Sequence, residues 1–201
     1  MTRARFDGWI AGVGTTSGTR IVLGHWPCSP FGAATDIMVE RADGHRRLLA
    51  GSAELGRFVA DTYAFEDAST VPIDVQREGP QWTVTAGPLV LRFTTGGRGA
   101  LGRLLRTVPP ALARWRPWVR LINLPAWLIL RDVRTYGSAG NGRREWYAVQ
   151  DLHRITAATV ELDGMSLGGL ADIDPPVRFG FGSTPRFPAL VRVTTTVELP
   201  G

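Results

Sequence analysis

Apolar and polar positions alternate with a period of two along most of this chain, and that period belongs to strands. The C-terminal run is the plainest. Val191, Val193, Thr195 and Val197 interleave with Arg192, Thr194, Thr196 and Glu198, which predicts a strand over Leu190 to Leu199. Near the other end, Trp9 to Gly14 and Thr19 to Trp26 are apolar runs parted by Thr15-Thr16-Ser17-Gly18, a turn signal. Thr35 to Arg41 and His45 to Ala50 flank Ala42-Asp43-Gly44, and Asp-Gly between two strand-prone runs is the strongest short hairpin signal. Val71 to Gln76, Gln81 to Thr85 and Leu89 to Thr95, punctuated by Gly79-Pro80 and Gly87-Pro88, read as a meander. A flexible loop over Gly137 to Gly142 leads into a long strand from Arg144 to Leu162, and Val177 to Phe181 reads as one more.

The period changes in two places. Ser52 is an N-cap with Glu54 in the first turn behind it, and Leu55, Phe58, Val59 and Thr62 follow at helical spacing. After Gly96-Gly97-Arg98-Gly99, the residues Leu101, Leu104, Leu105 and Val108 form one helical face that Pro109-Pro110 stop. Ala111 to Trp115 and Trp118 to Leu130 read as helical too, broken near Pro117 and kinked at Pro125. Roughly ten strands with turns every eight to twelve residues predict a sandwich or barrel. The expectation is a β-rich α+β fold, an antiparallel β-barrel-like single domain over 1–201, with 98–134 inserted as a helical segment or lid.

A chain of 201 residues buries a substantial core without staples. The lone Cys28 forms no internal disulfide, and the residues after Met1 hold no apolar stretch of the kind a signal peptide needs. The longest uncharged apolar run, Leu121 to Leu130, falls short of the roughly 20 residues that span a bilayer. These features predict a soluble, cytoplasmic protein.

Charge changes the picture more. All 23 basic residues are arginine. The absence of lysine removes Schiff-base catalysis, a P-loop lysine and a lysine general base. Residues 98–144 hold ten arginines against Asp132 alone, whereas the remainder has 13 arginines against 17 acids. The formal net charge of +5 is therefore the property of one arginine-rich segment. With Trp115, Trp118 and Trp127 among those arginines, the segment suits a lid or contact with an anionic membrane surface. Its prolines argue against a long helix reading a nucleic-acid groove.

The best candidate chemistry lies on the strand from Arg144. Regular alternation places Glu145, Tyr147, Asp151 and His153 on one face, four proton-carrying groups suited to acid–base catalysis if that face looks inward. Asp36 and Glu40 share a face with Met38, opposite Ile37 and Val39, and would face His153 or an arginine across a barrel if that face is interior. His25 precedes Trp26-Pro27-Cys28-Ser29-Pro30-Phe31-Gly32, a rigid turn suited to a pocket mouth. A lone His-Cys pair makes no zinc site, and no metal or other cofactor is expected. Arg98 and Arg103, around the glycines that open a helix, are candidate anion ligands.

Ser29-Pro30-Phe31-Gly32, Asp36 to Glu40, Arg144 to His153 and Val177 to Pro185 resemble signatures of an uncharacterised protein family of high-GC actinobacteria, which implies no activity. The Pro-Phe-Gly turn before an acidic strand, in a β-rich chain of this size, also resembles the acetoacetate decarboxylase-like barrels. That family's decarboxylases act through a lysine, and this sequence has none. The second resemblance therefore implies a barrel and transfers no functional residue. Three functions follow as expectations. The first is binding of a small molecule with an apolar body and an anionic group inside a β-barrel. The second is an enzyme acting through the 145–153 strand, and the third is peripheral membrane association through 98–134. The oligomeric state is not legible.

Overall fold

A computed structural model describes residues 2–108, 136–138, 141–179 and 185–200. Thirteen strands and two helices lie among them. The first half holds β1 (Arg3–Thr15), β2 (Arg20–Cys28), β3 (Ala34–Glu40), β4 (Arg46–Ala50), α1 (Ala53–Ala60) and β5 (Asp67–Thr70). The meander follows as β6 (Ile73–Glu78), β7 (Gln81–Ala86) and β8 (Leu89–Thr95), then α2 (Ala100–Thr107) and β9 (Tyr136–Ser138). The rest is β10 (Arg144–Leu162), β11 (Met165–Ser166), β12 (Leu170–Ala171) and β13 (Ala189–Glu198).

The strands form one sheet in the order β5-β4-β3-β2-β1-β13-β10-β8-β7-β6, with β9 and β11 on β10 and β12 on β1. The sheet curls into a half-barrel, and β10 is the corner. Its first part pairs with β13 and its last part, from Ile155, pairs with β8 across a register shift between Ile155 and Ala157. A bulge adds twist where a strand must turn from one layer into the next. All neighbours on the main path are antiparallel except β4 and β5. That parallel pair needs a crossover, and α1 supplies it.

Curling leaves the central strands buried on both faces. On one, β7 and β8 fold over β1, β2 and β3, and Trp82, Val84, Leu91 and Phe93 pack against Val13, Ile21, Leu23 and Ile37. This is the meander face. On the other, Leu55 and Val59 of α1 pack among Phe6, Trp26, Leu48, Ala50 and Val197. This is the helix face. Burying each such aliphatic side chain is worth about 1.5–3 kcal/mol. Ser52 Oγ accepts the Leu55 amide at 3.2 Å, which is the N-cap read from the sequence. Gly44, at φ +90°, turns the Asp-Gly hairpin.

Two local expectations are corrected. Residues 177–179 are not a strand. Pro175 and Pro176 precede them and donate no amide to a ladder, and Val177 and Phe179 instead plug the helix face with Ile173 and Val22. Gly137 to Gly142 is not loop throughout, because Tyr136–Ser138 pairs with Arg144 to Trp146. Of the inserted segment 98–134, α2 is helical as expected. Ala111 to Trp115 and Trp118 to Leu130, with their tryptophans, lie outside the described residues. No helix among the described residues is long and apolar enough to cross a membrane.

Candidate functional site

Asp36 on β3 and Glu145 on β10 come from distant parts of the chain, and both line one small cavity on the helix face. The cavity measures about 40 Å³, room for about three waters or a group of similar size. Its walls are Phe6, Trp26 and Met38 from the sheet, Phe58 and Val59 from α1, and Val197 from β13. Tyr63, Thr62 and Thr195 complete it. Edge-on and tilted packing among Phe6, Trp26, Phe31 and Phe58 makes one side aromatic.

The two acids are almost completely removed from water, at 2% exposure for Asp36 and 1% for Glu145. Asp36 Oδ1 accepts the Trp26 indole Nε1–H at 3.0 Å. Its Oδ2 has no hydrogen-bond partner among the described residues, nor has Thr195 Oγ1. Gly24 permits the indole–carboxylate bond, because a Cβ there would stand 2.7 Å from Trp26 Nε1 and 2.8 Å from Asp36 Oδ1. Glu145 Oε2 accepts the Tyr63 hydroxyl at 2.6 Å, and Tyr63 and Tyr147 hydroxyls are 3.3 Å apart. Arg143 closes the α1 end. It donates to the Phe58 carbonyl and to Thr62 Oγ1, and lies over the Phe58 ring.

Burial dominates the electrostatics. It pushes Asp36 up to about 7, with the Trp26 hydrogen bond pulling back. Glu145 also rises to about 7 through burial, with the two tyrosine hydrogen bonds opposing the shift and the Asp36 charge adding to it. Tyr63 is pushed well above the ordinary phenol value by burial and by the Glu145 charge. Burial of each acid by itself carries its shift, and the Asp36 charge is the weakest of the influences on Glu145.

Of the four residues expected on one face of β10, Glu145 alone lines the cavity, and Tyr147 shares its face behind it. A register shift between Val149 and Asp151 inserts an extra residue, and alternation restarts one step out of phase. Glu145 and Tyr147 stand opposite Val197 and Thr195, on the helix face. Asp151 and His153 stand opposite Arg192 and Leu190, on the other. There Arg98 grips Asp151 in a fork, Nε to Oδ1 and Nη2 to Oδ2, both at 2.8 Å. Burial raises Asp151, but the hydrogen bonds and charge of Arg98 outweigh it and hold the carboxyl below its ordinary range. His153 Nε2 is 3.5 Å from Asp151 Oδ2, and its Nδ1 is 3.1 Å from the Gly96 carbonyl. This cluster pins the glycine turn that opens α2 to β10.

The remaining candidates do not assemble with the cavity. His25 lies on the meander face, with Nδ1 3.0 Å from Thr35 Oγ1 and its ring edge-on to Trp82, and burial lowers its pKa. Glu40 is fully enclosed and taken up by Arg20 at 2.8 Å and by the side chain and amide of Arg178. Arg103 is exposed on α2. Of the two arginines expected as anion ligands, Arg98 is engaged by Asp151 and Arg103 stands on the surface, both away from the cavity. Among the described residues no group of three His, Cys, Asp or Glu side chains is arranged to hold a metal ion.

Sequence reading missed Tyr63, Trp26 and Thr195. Trp26 sits beside His25 in a run read as a turn. Thr195 was legible as one face of β13. Tyr63 follows the end of α1 with no pattern to mark it.

No protein-family model matches the sequence, and no curated protein is similar to it by sequence. Among solved structures the chain is remotely similar to an acetoacetate decarboxylase from Legionella pneumophila subsp. pneumophila str. Philadelphia 1. The identity is 11%, the match covers 100% of this chain and 86% of that one, and the TM-score is 0.45. It is similar in the same way to a second acetoacetate decarboxylase structure, at 9% identity, covering 100% of this chain and 90% of that one, with a TM-score of 0.47.

Proposed function

We propose that the cavity between the helix face and α1 binds a small organic molecule by its polar end. One observation carries this reading. Asp36 Oδ2 and Thr195 Oγ1 are buried polar atoms without partners among the described residues, and both belong to residues lining the same cavity. A buried polar group left unsatisfied costs about 1–3 kcal/mol, a cost that a ligand group recovers when it fills the site. Apolar walls and a few convergent polar groups are the ordinary make-up of a small-molecule site.

The polar end is neutral, a hydroxyl that donates to Asp36 Oδ2 or a carbonyl that accepts from the Thr195 hydroxyl, rather than the anion suggested by the arginine content. The cavity presents acids, and Arg143 beside it is occupied by Phe58, Thr62 and Asp61. Saturation-transfer NMR with a set of small ketones, alcohols, amines and carboxylates tests the reading. Neutral ketones and alcohols bind the wild type and lose binding in Val197→Phe, which fills the cavity. Equal binding to a folded Val197→Phe, or preference for carboxylates, overturns it.

A membrane contact through the inserted segment has one observation in its favour among the described residues: Leu104 of α2 is 62% exposed beside Arg103 and Arg106. Salt-sensitive flotation with anionic vesicles, weakened by Leu104→Ser, is the expected result. Equal flotation of the two proteins removes α2 from that role.

A further inference from the structure

We propose that the cavity, if it binds a carbonyl compound as argued above, enolises it, with Asp36 as the base and Glu145, backed by Tyr63, as the acid. The inference rests on that binding reading and adds a reaction to it.

The two acids are placed for different tasks. Asp36 is anchored by one oxygen to Trp26 and leaves Oδ2 without a partner among the described residues, so a lone pair is free for a proton from carbon. Glu145 is instead in a chain of hydroxyls, bonded to Tyr63, which in turn reaches Tyr147. Such a chain supplies protons and hydrogen bonds to an oxygen that gains charge. Burial raises both carboxyls to about 7, so base and acid forms are both accessible near neutrality, and the hydrogen-bond partners assign the roles. Apolar walls strengthen both interactions by excluding water.

The step balances without a further reactant. Asp36 Oδ2 takes a proton from the carbon beside the carbonyl. The C–H pair becomes the carbon–carbon double bond, and the carbonyl π pair moves to oxygen, which takes the Glu145 proton. Return of the Asp36 proton to the same carbon, or to the far end of a conjugated system, regenerates a carbonyl compound, and Glu145 recovers its proton from the oxygen. No lysine, metal or redox partner enters. Substrates are ketones whose reacting end is about the size of three waters, with any larger apolar part beyond the cavity.

The test is deuterium exchange at the α-carbons of butan-2-one and cyclohexanone in neutral D2O, followed by proton NMR. Saturation transfer on the same samples reports binding. Wild type exceeds buffer by about 10²-fold or more. Compared at ketone concentrations where saturation transfer shows each protein occupied, Asp36→Asn falls to the buffer rate and Glu145→Gln falls at least tenfold. Both variants preserve shape, and circular dichroism checks their folding. Binding without exchange in the wild type overturns the reaction and leaves the binding reading standing. Neither binding nor exchange overturns both. Undiminished exchange in a folded Asp36→Asn removes Asp36 as the base and overturns the assignment.

Discussion

Asp36 and Glu40 lie on one face of β3, both wholly inside the protein, yet their surroundings are opposite. Glu40 receives Arg20, the Arg178 guanidinium and the Arg178 amide. Asp36 receives one indole N–H and keeps an oxygen unpartnered among the described residues. The first acid ties β2 and β3 to the 173–179 segment. The second faces a cavity, with its pKa driven up to about 7. Burial alone does not distinguish a clamped acid from one that keeps an unpartnered oxygen among the described residues. The number of donors around it does.

Substitutions can break that comparison, and the largest effect is expected at the structural acid. Glu40→Ala leaves the Arg20 guanidinium buried without its counter-charge and costs about 3–5 kcal/mol. Urea denaturation reads this directly. A loss below 1 kcal/mol would mean that the arginine finds water. Gly24→Ala comes next. Its methyl group strikes the Trp26–Asp36 hydrogen bond, for about 1–3 kcal/mol and a changed Trp environment in near-ultraviolet circular dichroism.

At the cavity the sign reverses. Asp36 and Glu145 rise from ordinary values of 3.8 and 4.5 to about 7 in the folded protein. The native state therefore holds protons that the unfolded chain has released between about pH 4 and 7. Their contribution to stability is fully present below pH 4, falls as pH rises, and is lost above 7. Asp151, held low by Arg98, works the other way at more acidic pH. Asp36→Asn is expected to flatten the fall and to stabilise the protein at pH 8 by about 1–2 kcal/mol. Urea midpoints at pH 5 and 8 check it, and an unchanged slope would place the titration elsewhere. The smallest effect sharpens the contrast. Thr195→Val replaces an unpartnered buried hydroxyl by a methyl group and stabilises by about 1 kcal/mol or less while weakening ketone binding. Destabilisation would show that the hydroxyl has a partner after all.

Much of the fold was legible because hairpins and helix caps are local. The Asp43-Gly44 turn, the Ser52 cap, the 71–95 meander and the alternating β13 each depend on neighbours in sequence. The candidate site was half legible for the same reason. Glu145 and Tyr147 share a face because nothing interrupts β10 between them. The bulge before Asp151 interrupts it, and one inserted residue moved Asp151 and His153 to the opposite face. No hydrophobic pattern announces such a bulge, because the residues on both sides of it are largely buried.

The sequence by itself determined a lysine-free, β-rich chain with its acids and aromatics on particular strand faces. Only the tertiary structure decided which faces look inward. For β3 the alternation of Asp36, Met38 and Glu40 with Ile37 and Val39 carries that information in neither direction. The sheet curls between two cores, and both faces of the strand are covered. Period-two patterning distinguishes inside from outside where one side of a sheet meets water. Where neither side does, the partners that make one acid a clamp and another a candidate base come from strands far apart in the chain.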